Sequence, residues 1–247
     1  MDTLLNRLIH QFLHCKGLPS VIMKRGGILS VFVIIILVGG ISGCASSLVY
    51  SPSIQLPVQP LKKDQGQAGF GMVLLPETRP SAVGQKTSIG GEGFLRYAFS
   101  NKFSLQGRYW HNLESDNNLF GTSISGTYIF GDSSSSTHYG LTCATAALFS
   151  GSSVEGGGSS VIGSVWLPKL SADIRPFCSL GAIIGYRHLN TTPKEWGAGL
   201  LLQGGLAWSL SQVWTLHFEG SFITQMNFYE DISHGIPSLS VATSITF

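Results

Sequence analysis

From about residue 66 onward the chain alternates apolar and polar side chains with a period of two. Phe103, Leu105, Gly107 and Tyr109 alternate with Ser104, Gln106, Arg108 and Trp110. Phe120, Thr122, Ile124, Gly126, Tyr128 and Phe130 share one face against Gly121, Ser123, Ser125 and Thr127. The same rhythm runs through Leu200, Leu202, Gly204, Leu206 and Trp208, and again through Trp214, Leu216, Phe218 and Phe222. Successive side chains on a strand point to opposite faces, so each run has one greasy and one polar side. A helix would need apolar spacings of three and four, which these runs lack. The pattern predicts ten strands over 66–76, 87–99, 102–112, 119–130, 137–150, 158–168, 173–189, 195–209, 212–225 and 236–247.

The connections expected between these runs alternate in length. Ser100-Asn101, Gly131 to Ser136, Lys169 to Ala172 and Leu210-Ser211 are short, while Pro76 to Lys86, Leu113 to Asn118, Gly151 to Gly157, Asn190 to Lys194 and Met226 to Gly235 are mostly longer. Only 11% of residues are charged, against about a quarter in ordinary soluble domains. Glycine numbers 31 and aromatics make up 11%. Low charge, alternation and aromatics at strand ends (Tyr97, Phe99, Tyr109, Tyr128, Phe130, Trp208, Trp214) are the signature of a transmembrane barrel, whose apolarity is hidden from a hydropathy window by alternation. The final run Leu239 to Phe247 alternates to a last aromatic and resembles the C-terminal β-signal of bacterial outer-membrane barrels. The expected fold is all-β: an up-and-down antiparallel transmembrane barrel of about ten strands over 66–247, with eight or twelve open because 66–76 and 158–168 are weakly patterned.

Ahead of the barrel, Lys24 and Arg25 precede an apolar run from Ile28 to Val38, which leads to Ile41-Ser42-Gly43-Cys44. Basic start, greasy core and small-residue exit are what an export signal requires. The segment resembles the lipobox of bacterial lipoprotein precursors. That resemblance implies a cleaved signal over 23–43, lipid attachment at Cys44, and passage through the lipoprotein-sorting and outer-membrane assembly machinery. Ala45, where aspartate would favour inner-membrane retention, implies lodging in the outer membrane. An uncleaved membrane anchor is the alternative, but the run from Gly26 to Gly43 is short for a spanning helix. Residues 1–22 precede a complete signal and read as an upstream extension, with translation expected from Met23. Residues 44–65, rich in Ser and Pro, read as a flexible tether. A lipid on Cys44 puts the barrel's N-terminal end on the periplasmic side, and an even strand number puts both barrel ends there.

The formal charge of +2 belongs to the precursor. Arg7, Lys16, Lys24 and Arg25 against Asp2 account for +3 of it, which leaves the mature part near −1. No basic stripe remains to bind nucleic acid. Cys143 and Cys178 fall on outward positions of strands that are not adjacent, so they read as small apolar fillers in preference to a disulfide.

Strand parity places Glu92, Arg96, Arg108, Arg187, Glu195, His217 and Glu219 in the lumen. Charges buried there must find partners, so a structural ionic network is the expected reading. The sharper reading is a lipid- or peptide-cleaving barrel with His217 as base and a serine or carboxylate nearby. His217 sits early in its strand, far from outer-leaflet substrates, and no motif of known barrel hydrolases is found. His111, His138, His188 and His234 lack the spacing of a metal site, with His138 read as a turn-side polar residue. Gly156-Gly157-Gly158 does not lie between a strand and a helix as a phosphate loop would. No catalytic residues, metal or cofactor are therefore expected, and outer-membrane lipid is the expected surrounding. A structural, adhesive or binding barrel is the first expectation. A narrow channel, a barrel hydrolase and a lipid-tethered periplasmic β-sandwich are the alternatives.

Overall fold

The computed structural model describes residues 60–76, 87–113, 119–131, 135–187, 195–227 and 233–247. The expected signal, Cys44 and most of the expected tether lie outside them. Ten strands follow in chain order: β1 (Gly66–Pro76), β2 (Thr87–Ala98), β3 (Phe103–Asn112), β4 (Leu119–Phe130), β5 (His138–Ser150), β6 (Ser153–Trp166), β7 (Ile174–Arg187), β8 (Glu195–Ser209), β9 (Trp214–Asn227) and β10 (Ser233–Thr246). Each pairs antiparallel with its sequence neighbour, and β1 pairs with β10 to close the barrel. Closure leaves no strand edge to template aggregation. At the seam the Gly66 N–H donates to the Phe247 carbonyl (2.8 Å) and the Phe247 N–H to the Gly66 carbonyl (2.9 Å). Both therefore lie at one end, called here the entry end.

The ten-strand barrel expected from alternation is the fold observed. One connection differs. The loop expected over Gly151 to Gly157 is a two-residue turn, Gly151-Ser152, and β6 begins at Ser153. Gly151 has φ 58°, which a hairpin turn needs at its first central position and which glycine adopts without steric cost. Glycine-rich composition suggested a loop, yet Gly156, Gly157 and Gly158 pair with β5 and β7. There the backbones run so close that a Cβ at Gly158 would lie 2.8 Å from the Ile184 carbonyl oxygen. A register shift between Leu148 and Phe149 marks a bulge in this hairpin. With this loop gone, the expected contrast between short and long ends narrows, and the β1–β2 connection over 77–86 remains the longest.

Alternation sorts the side chains as expected. Phe70 is 71% exposed, and Met72, Leu95, Ile124, Leu180, Leu200 and Val241 also stand on the outer wall. At the entry end Tyr97, Phe99, Phe103, Tyr128, Phe130, Tyr139, Trp208, Trp214 and Phe247 are all exposed, forming a ring of outward aromatics. Cys143 and Cys178 are exposed thiols on β5 and β7, with β6 between them. Inside, Ile129, Ile162, Trp166, Phe177, Ile183, Leu201, Ala207 and Ile223 form one apolar cluster, and Val73, Trp110 and Leu148 a second toward the far end.

Large inward rings lie over glycines on the neighbouring strand. A Cβ at Gly69 would stand 2.4 Å from the Phe94 ring, at Gly121 2.3 Å from Trp110, at Gly140 2.6 Å from Trp166 and at Gly205 2.5 Å from Phe177. Glycine on one strand provides the volume that the ring on the next fills, the arrangement known as aromatic rescue of a sheet glycine. On the outer wall the Phe247 ring covers Gly66 in the same way.

Candidate functional site

Parity on β1, β2, β3, β8, β9 and β10 directs a polar set inward. Glu92, Arg96, Arg108, His217 and Glu219 are all buried, as expected from the sequence. Arg187 and Glu195 are register partners on β7 and β8, and their side chains fall outside the description. Glu92 and Arg108, on adjacent strands, form a buried ion pair. Glu92 is opposite Trp110 and Arg108 opposite Phe94, so the pair spans a diagonal of the β2–β3 ladder.

The remaining charges are met differently from a chain of ion pairs. Arg96, 2% exposed, donates from Nη2 to Gln67 Oε1 at 2.7 Å. Gln67 Nε2 then donates to Ser244 Oγ at 2.9 Å, and His217 Nε2 lies 2.6 Å from the same oxygen. Four side chains from β2, β1, β10 and β9 thus bridge the closing seam, so the seam is held by side chains as well as by its ladder. Glu219 accepts a hydrogen bond from Gln203 Nε2 on β8. Gln67, Gln203 and Ser244 were not singled out from sequence, because neutral polar residues on an inward face carry no signal that distinguishes a network member from a filler. The signal available was parity joined to strand pairing, and the pairing of β1 with β10 appears only on closure.

His217 and Ser244 form the His–Ser contact that nucleophilic catalysis begins from. Their surroundings do not admit a substrate. Ser244 is 1% exposed and also accepts from Gln67, and the Phe94 ring packs edge-on to the imidazole at 6.1 Å between centroids. Glu219, two residues from His217 on the same face, is engaged by Gln203. Among the described residues no three His, Cys, Asp or Glu side chains converge as metal ligands. His111 and His138 lie on separate strands, β3 and β5. His138, expected as a turn-side polar residue, is the first residue of β5, beside the turn, and is buried.

Large side chains occupy the lumen among the described residues. Trp166 and Phe177, register partners at the entry end, are both 0% exposed. Val73, Trp110 and Leu148 pack together, with Trp110 opposite Glu92 in the β2–β3 register. A small barrel has an interior just wide enough for its side chains, and here the described interior holds the buried polar set beside two apolar clusters.

No protein-family model matches the chain, and no curated protein is similar to it. The barrel resembles outer-membrane barrels among solved structures. The N-terminal β-barrel domain of Pseudomonas aeruginosa OprF aligns over 75% of this chain and 98% of its own, at 11% identity and a TM-score of 0.37. The KdgM porin in complex with disordered oligogalacturonate aligns over 73% of this chain and 99% of its own, at 8% identity and a TM-score of 0.41. The outer-membrane protease OmpT from Escherichia coli aligns over 74% and 94%, at 8% identity and a TM-score of 0.36. The likeness is one of fold, an all-β closed antiparallel barrel.

Proposed function

We propose that this chain is a lipid-anchored outer-membrane barrel with a structural, adhesive or binding role, a closed lumen and no catalysis. The observation that carries the reading is the pairing of an apolar, aromatic-ringed outer wall with a packed interior. Exposed apolar surface on this scale is a liability in water and is satisfied in hydrocarbon. A lumen sealed by Trp166 and Phe177 at one end and by Val73, Trp110 and Leu148 toward the other leaves the ends and outer wall as working surfaces. The lipobox Ile41 to Cys44 supplies the anchor, and the entry end, where Gly66 and Phe247 meet, lies on the periplasmic side. Sorting and assembly machinery are the partners this route requires.

Three measurements test the reading. Labelled palmitate enters the expressed protein and is lost in Cys44→Ala. Unboiled protein migrates differently from boiled protein on gels, as folded barrels do, whereas buffer-soluble Cys44→Ala monomers would instead indicate a tethered sandwich. In planar bilayers the protein produces no ion-selective steps; steps would favour the channel.

A hydrolase is the second reading, supported by the His217–Ser244 contact of 2.6 Å. Its test is labelling by a serine-reactive fluorophosphonate. The folded protein is expected to remain unlabelled, because Ser244 is enclosed, and labelling lost in both His217→Ala and Ser244→Ala would establish the enzyme.

A further inference from the structure

The chain turns across its own barrel mouth before entering β1. The Gln65 N–H donates to the Lys62 carbonyl (3.2 Å), the Lys62 N–H to Gln65 Oε1 (2.8 Å) and the Lys63 N–H to Asn101 Oδ1 (2.8 Å). Asp64 takes φ 63°, a conformation Asp tolerates better than most residues. Backbone bonds between Asp64 and Ala98 and between Ala98 and Gln65 fasten this turn to the end of β2. The last six residues of the expected tether, 60–65, are therefore built into the mouth, with Leu61 buried.

The turn helps enclose a cavity of about 830 Å³ whose walls include Leu61, Lys62, Lys102, Ile129, His138 and Arg175. Every ionisable side chain among the described lining residues is basic: Lys62, Lys102, His138 and Arg175. Arg175 Nη2 makes one long contact, 3.4 Å to the Ser136 carbonyl, and its Nε is buried without a hydrogen-bond partner. The nearby acid Asp64 is engaged by Lys63 and by the Tyr97 hydroxyl. Charge is also segregated along the barrel. Outside the lumenal set, the entry-end connections and adjoining strand tips over 60–247 carry five Lys/Arg against three Asp, and the opposite end carries three against six carboxylates. A concave site whose described charges share one sign focuses the field on an incoming counter-ion. An unpartnered guanidinium N–H suits an oxyanion that offers two acceptor oxygens.

We propose that the entry-end mouth is an anion-binding site that takes phosphate groups, held by Arg175 with Lys102, Lys62 and His138 around it. Dissolved phosphate compounds and phospholipid headgroups share this chemistry, and the test separates them. The full chain, folded into zwitterionic phosphatidylcholine nanodiscs, is titrated calorimetrically with pyrophosphate. Saturable binding weakens about tenfold or more in Arg175→Gln and several-fold in Lys102→Gln, as loss of charge-assisted hydrogen bonds requires. It stays within about twofold in Lys169→Gln, whose ammonium lies on a neighbouring turn and is held by the Ala172 carbonyl (2.8 Å). Retention of phosphatidylglycerol that is sensitive to Arg175→Gln, with no response to pyrophosphate, identifies a headgroup and also supports the site. No binding of either probe overturns it. So does equal weakening in Arg175→Gln and Lys169→Gln, which is diffuse attraction. If Arg175→Gln loses heat-modifiable migration, Lys102→Gln carries the test, and unchanged affinity there refutes the proposal.

Discussion

At the scale of single residues, the lumen buries charged side chains and has to satisfy each one. The Glu92–Arg108 pair is the clearest case, since both side chains are enclosed. Removing one partner leaves the other buried without its counter-charge, a loss of about 3–5 kcal/mol in comparable pairs. Replacing both with apolar residues of similar volume is often neutral or stabilising. Glu92→Leu alone should therefore lower the midpoint of urea unfolding, followed by tryptophan fluorescence in micelles, far more than the double variant Glu92→Leu/Arg108→Met. A double variant as unstable as the single one would remove the ion pair from the account. Ser244 connects Gln67 and His217, and Ser244→Ala should cost about 1–3 kcal/mol in the same assay because it strands buried donors.

Strands in this barrel are matched ring to glycine as well as apolar to polar. Gly140 and Gly107 are equivalent in composition and differ in what they face. A Cβ at Gly140 would stand 2.6 Å from the buried Trp166 ring, whereas a Cβ at Gly107 meets nothing within 4 Å on the outer wall. Gly140→Val should thus cost several times what Gly107→Val does. The first forces Trp166 out of a filled space, at about 1–3 kcal/mol or more. The second restricts the unfolded chain and adds apolar surface to the wall, so it should be neutral or mildly stabilising. Comparable unfolding midpoints for the two variants would contradict the pairing of rings with glycines. The same distinction accounts for the one misplaced loop. Gly151 occupies the turn and Gly156 to Gly158 the strand, and composition cannot separate a glycine chosen for backbone conformation from one chosen for close approach.

The barrel as a whole has two buried apolar clusters, one that includes Trp166 and Phe177 near the entry end and one formed by Val73, Trp110 and Leu148 toward the far end. Conduction requires both to open. Trp166→Ala/Phe177→Ala, in protein that keeps its heat-modifiable migration, should remain silent in planar bilayers although each truncation of this kind costs about 3–5 kcal/mol. Conductance steps in that variant would mean that the far cluster is no barrier. The basic mouth belongs to this scale too, because Lys62, Lys102, His138 and Arg175 come from the entry turn, the β2–β3 connection, β5 and β7. Closure of the sheet is what assembles them.

Much of this architecture was legible from residues 66–247. Period two is a local property of a strand, so a barrel of about ten strands, their faces, the inward positions of Glu92, Arg96, Arg108, His217 and Glu219, and the outward positions of Cys143 and Cys178 could be read before any contact was known, while eight or twelve strands stayed open. Parity says only which side of the wall a residue faces. Which inward residues meet depends on the registers between strands and on closure, set by packing between segments distant in sequence. That is why the Arg96–Gln67–Ser244–His217 chain, whose ends lie on β2 and β9, and the glycine-ring pairs emerged only from the closed barrel. The apolar clusters of the lumen and the cationic mouth have the same origin, because a ring of strands brings together residues that the chain holds far apart.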